Sequence, residues 1–200
     1  TIPVGARRVT LDARAALADE AVPEFLKHAL FELIAEIRML EEKADAVRTS
    51  LTALVDHMPE AKRLMSIPGI GVLTATAMVA CVGDIHRFRS GRHFASWLGL
   101  TPREHSSGAS RHLGSITRKG NSYLRMLLIH GARSALRAGA MTDEPDDLRS
   151  WAKEVSIRHC HNVAAVALAN KIARICWRTW RDGRDFERRA PRGEAQVAHC

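Results

Sequence analysis

Apolar residues at Leu26, Leu30, Leu33, Ile37, Leu40, Ala44, Val47, Leu51, Leu54 and Met58 recur at alternating spacings of four and three. That spacing keeps one narrow stripe of a helix apolar over several successive heptads. A strand would need alternation at every second residue, which the stretch lacks. The pattern predicts one helix over 23–58, about 50 Å long at 1.5 Å per residue, with Pro59 ending it. Glu32, Glu36, Glu41, Glu42, Lys43 and Arg48 lie off the seam. A seam this narrow and unbroken reads as an oligomerising coiled coil in preference to a helix laid along its own domain. It predicts a homo-oligomer and leaves two, three or four chains open.

Two hundred residues suffice for one ordinary domain, or one domain plus an extended helix. Residues 1–22 read as an irregular lead-in, the remainder of an upstream domain. A start at Thr1 rather than Met suggests a fragment. After Pro59 comes Ser66-Ile67-Pro68-Gly69-Ile70-Gly71, then an apolar run from Val72 to Val82. Phe88, Phe94, Trp97 and Leu98 suggest a short helix capped by Ser90, broken at Gly99-Leu100-Thr101-Pro102. Arg103 to Gly120 reads as a loop rich in Ser, Gly and Arg. Asn121 caps a helix with Leu124, Leu127, Leu128, Gly131, Ala132 and Ala135 on one face. Thr142 to Asp147 reads as an acidic linker. A last helix spans about Val163 to Trp180, where Ala165, Ala169 and Ala173 permit close helix contact. No strand signal rises above background. The expected fold class is all-α: a long coiled-coil helix, then a compact helical domain over 61–185, with a disordered tail over 186–200.

Charge is unevenly distributed within the net +8. Residues 1–60 hold 7 Lys/Arg against 11 Asp/Glu, residues 61–140 hold 12 against 2, and residues 141–200 hold 11 against 9. A folded stretch so poor in acids is an electrostatic footprint for a polyanion. The longest apolar run falls short of the ~20 residues a membrane span needs, and no signal peptide is visible. Cys81, Cys160, Cys176 and Cys200 are widely spaced. With no secretory signal, that favours a reducing cytoplasm over a disulfide framework. His159-Cys160-His161 lacks a second ligand pair at a zinc spacing, so no metal site is expected.

Two constellations carry chemistry. Ile67-Pro68-Gly69-Ile70-Gly71 has the apolar-Pro-Gly-apolar-Gly form of a helix-hairpin-helix turn. Its glycines allow a tight turn and close approach to a partner, and the following helix offers free N–H groups to phosphate. The second constellation runs from Pro102-Arg103-Glu104-His105-Ser106-Ser107-Gly108-Ala109-Ser110-Arg111 to Arg118-Lys119-Gly120-Asn121. Serine beside glycine, ringed by arginines, suits phosphate gripping or nucleophilic attack on a phosphodiester. A nucleophile needs a base or a metal, yet Arg103 to Arg137 holds seven Lys/Arg and one acid, Glu104.

These motifs occur in order with Phe88-Arg89-Ser90-Gly91, Trp97 to Arg103, Ser106-Ser107-Gly108, Gly120 to Arg125, and Val163 to Ile175. Together they resemble the C-terminal transposase domain of the insertion sequence 110/116/902 family, over roughly residues 61–185. The resemblance implies a two-part enzyme. A RuvC-like domain carries four acids that bind divalent metal, expected to be Mg. A coiled coil and a helical serine-bearing domain follow it. It further implies DNA as substrate, oligomers, and an element-encoded guide RNA as partner.

By position, Ser107 before the glycine becomes the expected nucleophile, with Ser106 as its rival. Pro68, Gly69, Gly71, Arg103, Arg111, Arg118, Lys119 and Arg125 become the expected DNA contacts. The RuvC-like acids have no counterpart here, so this chain is expected to need that domain for activity. The competing expectations are a non-catalytic helix-hairpin-helix DNA-binding module and an inactive remnant of a transposase.

Overall fold

A computed structural model describes residue 17 and residues 23–107, 110, 112–139 and 147–188. The chain divides into two compact units, Thr1–Leu51 and Thr52–Cys200.

In the first unit the described chain is one helix, α1, Glu24–Val55, whose last turn belongs to the second unit. Glu, Ala, Leu, Arg and Lys dominate it, and these residues lose little side-chain freedom in a helix. The Pro23 carbonyl accepts the Leu26 and Lys27 N–H groups at 2.9 and 3.1 Å. Surface pairs such as Lys27–Glu24 at 3.6 Å and Arg48–Asp45 at 3.1 Å add a few tenths of a kcal/mol each. The helix stops three residues short of the expected Met58. Pro59 itself stands in the first turn of the next helix. A residue before proline is pushed out of the helical region, and Met58 sits at φ −124°, ψ 84°. The chain therefore leaves the helix at Asp56 and His57 to reach that conformation.

The second unit holds helices α2 (Pro59–Leu64), α3 (Val72–Val82), α4 (Gly91–Trp97), α5 (Ser122–Gly139), α6 (Asp147–Arg158) and α7 (His161–Asp182). α7 is its axis. Ala164, Ala165, Leu168, Ala169, Ile172, Ala173 and Cys176 are fully buried along it, and α5, α6, α4 and α2 pack against it. The alanines let neighbouring backbones come close. A methyl group added to Gly91 of α4 would stand 3.1 Å from the Arg174 carbonyl oxygen. Burial pushes the Cys176 thiol well above its ordinary range, so it behaves as a small core hydrophobe. After α7, the Phe186 N–H donates to Ser66 Oγ at 2.8 Å and its ring packs on the core.

Two expected caps are present. Ser90 Oγ accepts the His93 N–H at 3.2 Å, and Asn121 Oδ1 accepts the Leu124 N–H at 3.0 Å. The molecule is predominantly α-helical, with one departure inside the expected loop. Strands β1 (Pro102–Glu104) and β2 (Leu113–Ile116) form an antiparallel ribbon, with an irregular register between Pro102 and Glu104. α6 is the other element the sequence did not announce. Within the described residues, no helix is long and apolar enough to cross a membrane.

Candidate nucleic-acid interface and serine hairpin

The ribbon is anchored at its base by two glycines. Gly99, at φ +70°, passes so close to Lys119 that an added methyl group would overlap the Lys119 carbonyl oxygen. Gly120, at φ +102°, stands in the same relation to the Trp97 carbonyl. Only glycine tolerates both the positive φ and the crowding. Hydrogen bonds close the crossing: Thr117 N–H to the Thr101 carbonyl at 2.9 Å, and Arg118 N–H to the Gly99 carbonyl at 3.1 Å. The core then grips the same segment through its carbonyls. Arg125 Nη1 donates to the Leu98 oxygen at 3.1 Å, and Asn170 Nδ2 donates to the Leu100 oxygen at 2.9 Å. Trp97 joins Phe88 and Phe94 beneath the base, with ring centroids 5.3 and 6.0 Å away.

The ribbon's far end is different. His105 N–H donates to the His112 carbonyl at 2.9 Å. Ser107 and Ser110 exchange backbone hydrogen bonds at 3.2 and 3.1 Å, which places both serines of the pair at a hairpin end. Residues 102–107 and Ser110 are all exposed. Ser106 Oγ donates to Glu104 Oε1 at 2.9 Å, and Ser110 Oγ lies 3.1 Å from His112 Nε2. Ser107 is thus presented on a short projection, beside a serine already paired with a carboxylate. Gly108 and Arg111 lie outside the described residues.

The expected DNA contacts fall into distinct settings. Arg103, Arg118 and Lys119 are exposed on the ribbon and its base; the Arg103 guanidinium reaches the Thr117 carbonyl at 3.5 Å. Arg125 is half-buried, with its guanidinium engaged by Leu98. The helix–turn–helix of α2 and α3 separates its own residues too. Pro68 is buried. Gly69, at φ +88°, makes its close approach inside the protein, where an added methyl group would meet the Gly131 carbonyl oxygen of α5 at 2.5 Å. Gly71 has open space around it and no side chain caps α3 there, so the first-turn N–H groups lack a side-chain acceptor.

Sequence reading missed the cations of α7. Lys171 and Arg174 sit on the helix face toward the ribbon and share a groove with Arg118, Arg125 and Arg133. Their signal was masked because α7 was read only for its alanine spacing. Among the described residues no three His, Cys, Asp or Glu side chains form a metal-sized cluster. The residues described here therefore offer no ligand set for the divalent metal that the resemblance implies.

Comparison with known proteins is consistent in direction. Residues 61–145 match the family model for the transposase IS116/IS110/IS902 family. A probable family 20 transposase of Pseudomonas aeruginosa is 42% identical over 156 residues, covering 78% of this chain and 46% of the relative. The transposase for insertion sequence element IS1111A of Coxiella burnetii is 40% identical over 179 residues, covering 88% of this chain and 49% of the relative. A pilin gene-inverting protein of Moraxella bovis is 41% identical over 80 residues, covering 38% and 25% respectively. The chain spans about half the length of the two transposases.

Proposed function

Through residues 61–145 the chain belongs to the IS116/IS110/IS902 family of transposases, and on that premise we propose that it is the DNA-binding, serine-bearing C-terminal part of a transposase that cleaves and exchanges DNA strands. The observation that carries the reading is the ribbon: an exposed serine tip on a base closed by two glycines and two backbone hydrogen bonds and held to the core by two more. Catalysis at phosphorus needs a nucleophile that reaches the substrate yet holds its position. Ser107 Oγ adds to the phosphorus of a phosphodiester, and the bond from phosphorus to the departing sugar oxygen breaks. A general base takes the serine proton, and the sugar oxygen acquires one. The phosphoserine ester preserves the bond for rejoining to another strand. Arg103, Arg118 and Lys119 hold neighbouring phosphates.

A specific observation favours Ser106 as the rival, since its Oγ already donates to the Glu104 carboxylate. Replacing each serine by alanine in the complete transposase separates the two. Ser107→Ala is expected to abolish transposition and leave duplex affinity within about twofold, because surface hydroxyls contribute little to binding energy. Transposition retained in Ser107→Ala and lost in Ser106→Ala would transfer the role to Ser106.

The partners follow from the same premise. The exposed stripe of α1, where Leu26, Leu33, Leu40, Val47 and Leu54 are each 44–59% accessible at seven-residue intervals, suits a coiled coil with further copies of the chain. The metal, Mg, and the four acids that bind it belong to a RuvC-like domain. A guide RNA encoded by the element is the further partner, and the cytoplasm is the compartment. The open N-terminus of α3 at Gly71 favours one alternative, a helix-hairpin-helix module that grips DNA without cleaving it. Trapping a covalent protein–DNA adduct with the complete protein would eliminate that alternative.

A further inference from the structure

A groove of about 740 Å³ lies between the ribbon and helices α5, α6 and α7. Arg118, Arg125, Arg133, Lys171 and Arg174 line it, and among the described residues no Asp or Glu does. Neutral groups orient three of these cations. Arg125 donates to the Leu98 carbonyl, Arg133 Nη2 to Asn162 Oδ1 at 3.3 Å, and the Lys171 ammonium stands 4.3 Å above the Trp151 ring. None of the five forms an ion pair among the described residues. Like charges gathered in one concavity repel one another, and an anionic occupant relieves that repulsion.

The rest of the lining is mostly apolar, including Ile129, Val163, Val166 and Ala167, with Ser115, Asn162 and Asn170 as neutral polar residues. That combination excludes two kinds of occupant. A free inorganic anion has no use for the apolar wall. A duplex keeps its base faces stacked inside the helix, so it has little to place against the apolar wall. An unpaired strand matches both halves, with phosphates for the guanidinium and ammonium groups and base faces for the apolar and indole surfaces. β2 residues Gly114, Ser115 and Ile116 form one bank of the groove, so a strand seated there runs beside the hairpin that ends in Ser107.

We infer that this groove binds a short unpaired stretch of DNA, holding the strand next to the serine hairpin while the adjoining duplex lies elsewhere. The inference rests on the strand-exchange reading above and gives it a further subsite, which shares Arg118 with the ribbon base. It concerns equilibrium binding, tested at Arg133 and Arg174, whereas the serine assignment is read by transposition. Either can therefore fail alone.

The test is fluorescence anisotropy of the 200-residue chain with short labelled oligo(dT), oligo(rU) of equal length, and a blunt hairpin duplex. Arg174→Gln and Arg133→Gln are each expected to weaken oligo(dT) binding about tenfold, the weight of one charge-assisted phosphate contact. Each should also make the salt dependence shallower by about 0.7 per lost phosphate. Duplex affinity should stay within about twofold in both. Ala167→Glu, which adds a negative charge to the groove wall without removing a cation, should give a similar loss; it guards against reading a folding defect as a binding effect. Arg178→Gln, on α7 outside the groove, should change neither probe. Unchanged oligo(dT) affinity in Arg133→Gln, Arg174→Gln and Ala167→Glu, an equal loss of duplex affinity, or tighter binding of oligo(rU) would each overturn the inference.

Discussion

The two ends of one ribbon are held in different ways. At the base, Gly99 and Gly120 cross main chain against main chain, and Arg125 and Asn170 hold the adjoining carbonyls. At the tip, among the described residues, Ser106, Ser107 and Ser110 bond to neighbours within the hairpin and remain exposed. The same short polar sequence is thus anchored at one end and presented to solvent at the other. Residues that fix the direction of the hairpin are distinct from those that would touch a phosphodiester, so each can be altered separately.

The strongest way to break that contrast is at the base. Gly120→Ala combines a positive φ with overlap on the Trp97 carbonyl. It should cost about 3 kcal/mol or more, lowering Tm by roughly 6–12 °C for a domain of this size. A circular-dichroism melt with unchanged Tm would show that the base is not the rigid end. Arg125→Gln sharpens the comparison further, because a residue first expected on DNA is engaged by Leu98. Losing that donor from a part-buried carbonyl should cost about 1–3 kcal/mol in urea unfolding. A change in DNA affinity without any change in stability would return Arg125 to the interface alone. Smallest of all, Ser106→Ala and Ser107→Ala should each shift stability by no more than about 0.5 kcal/mol. A larger loss in the same unfolding experiment would mean that the tip carries structural weight.

The sequence spoke clearly where an apolar stripe repeats along an element. α5 showed in Leu124, Leu127, Leu128, Ala132 and Ala135, and α7 in its alanines, because burial imposes a period. α1 showed in its heptads, although that stripe is exposed here. The ribbon was silent for the opposite reason. Its strand residues are exposed almost throughout, so no alternation of apolar and polar residues marks it. α6 was missed because only Leu148 and Ala152 are buried along it, too few to set a pattern. The serine could be nominated only through the ordered motifs around it, since a serine in a Ser/Gly stretch has no periodic signature. The α7 cations could have been found by asking which of its faces carries Lys171 and Arg174 rather than which carries alanine. Long-range pairings such as Gly69 with Gly131 are not readable from one chain, because nothing local says what a glycine will meet.

That pairing has a further consequence. In most cores a larger residue on one side can be balanced by a smaller one opposite, so neighbouring positions drift together over generations. Here each glycine faces main chain, and main chain has nothing left to trim. No second substitution can rescue the first. In a saturation library the two positions should stand out as jointly invariant, without the reciprocal exchanges that usually betray contact. A reader of related sequences who searches for covariation would therefore overlook the tightest contact between the α2–α3 turn and α5, and would find it only by looking for its absence.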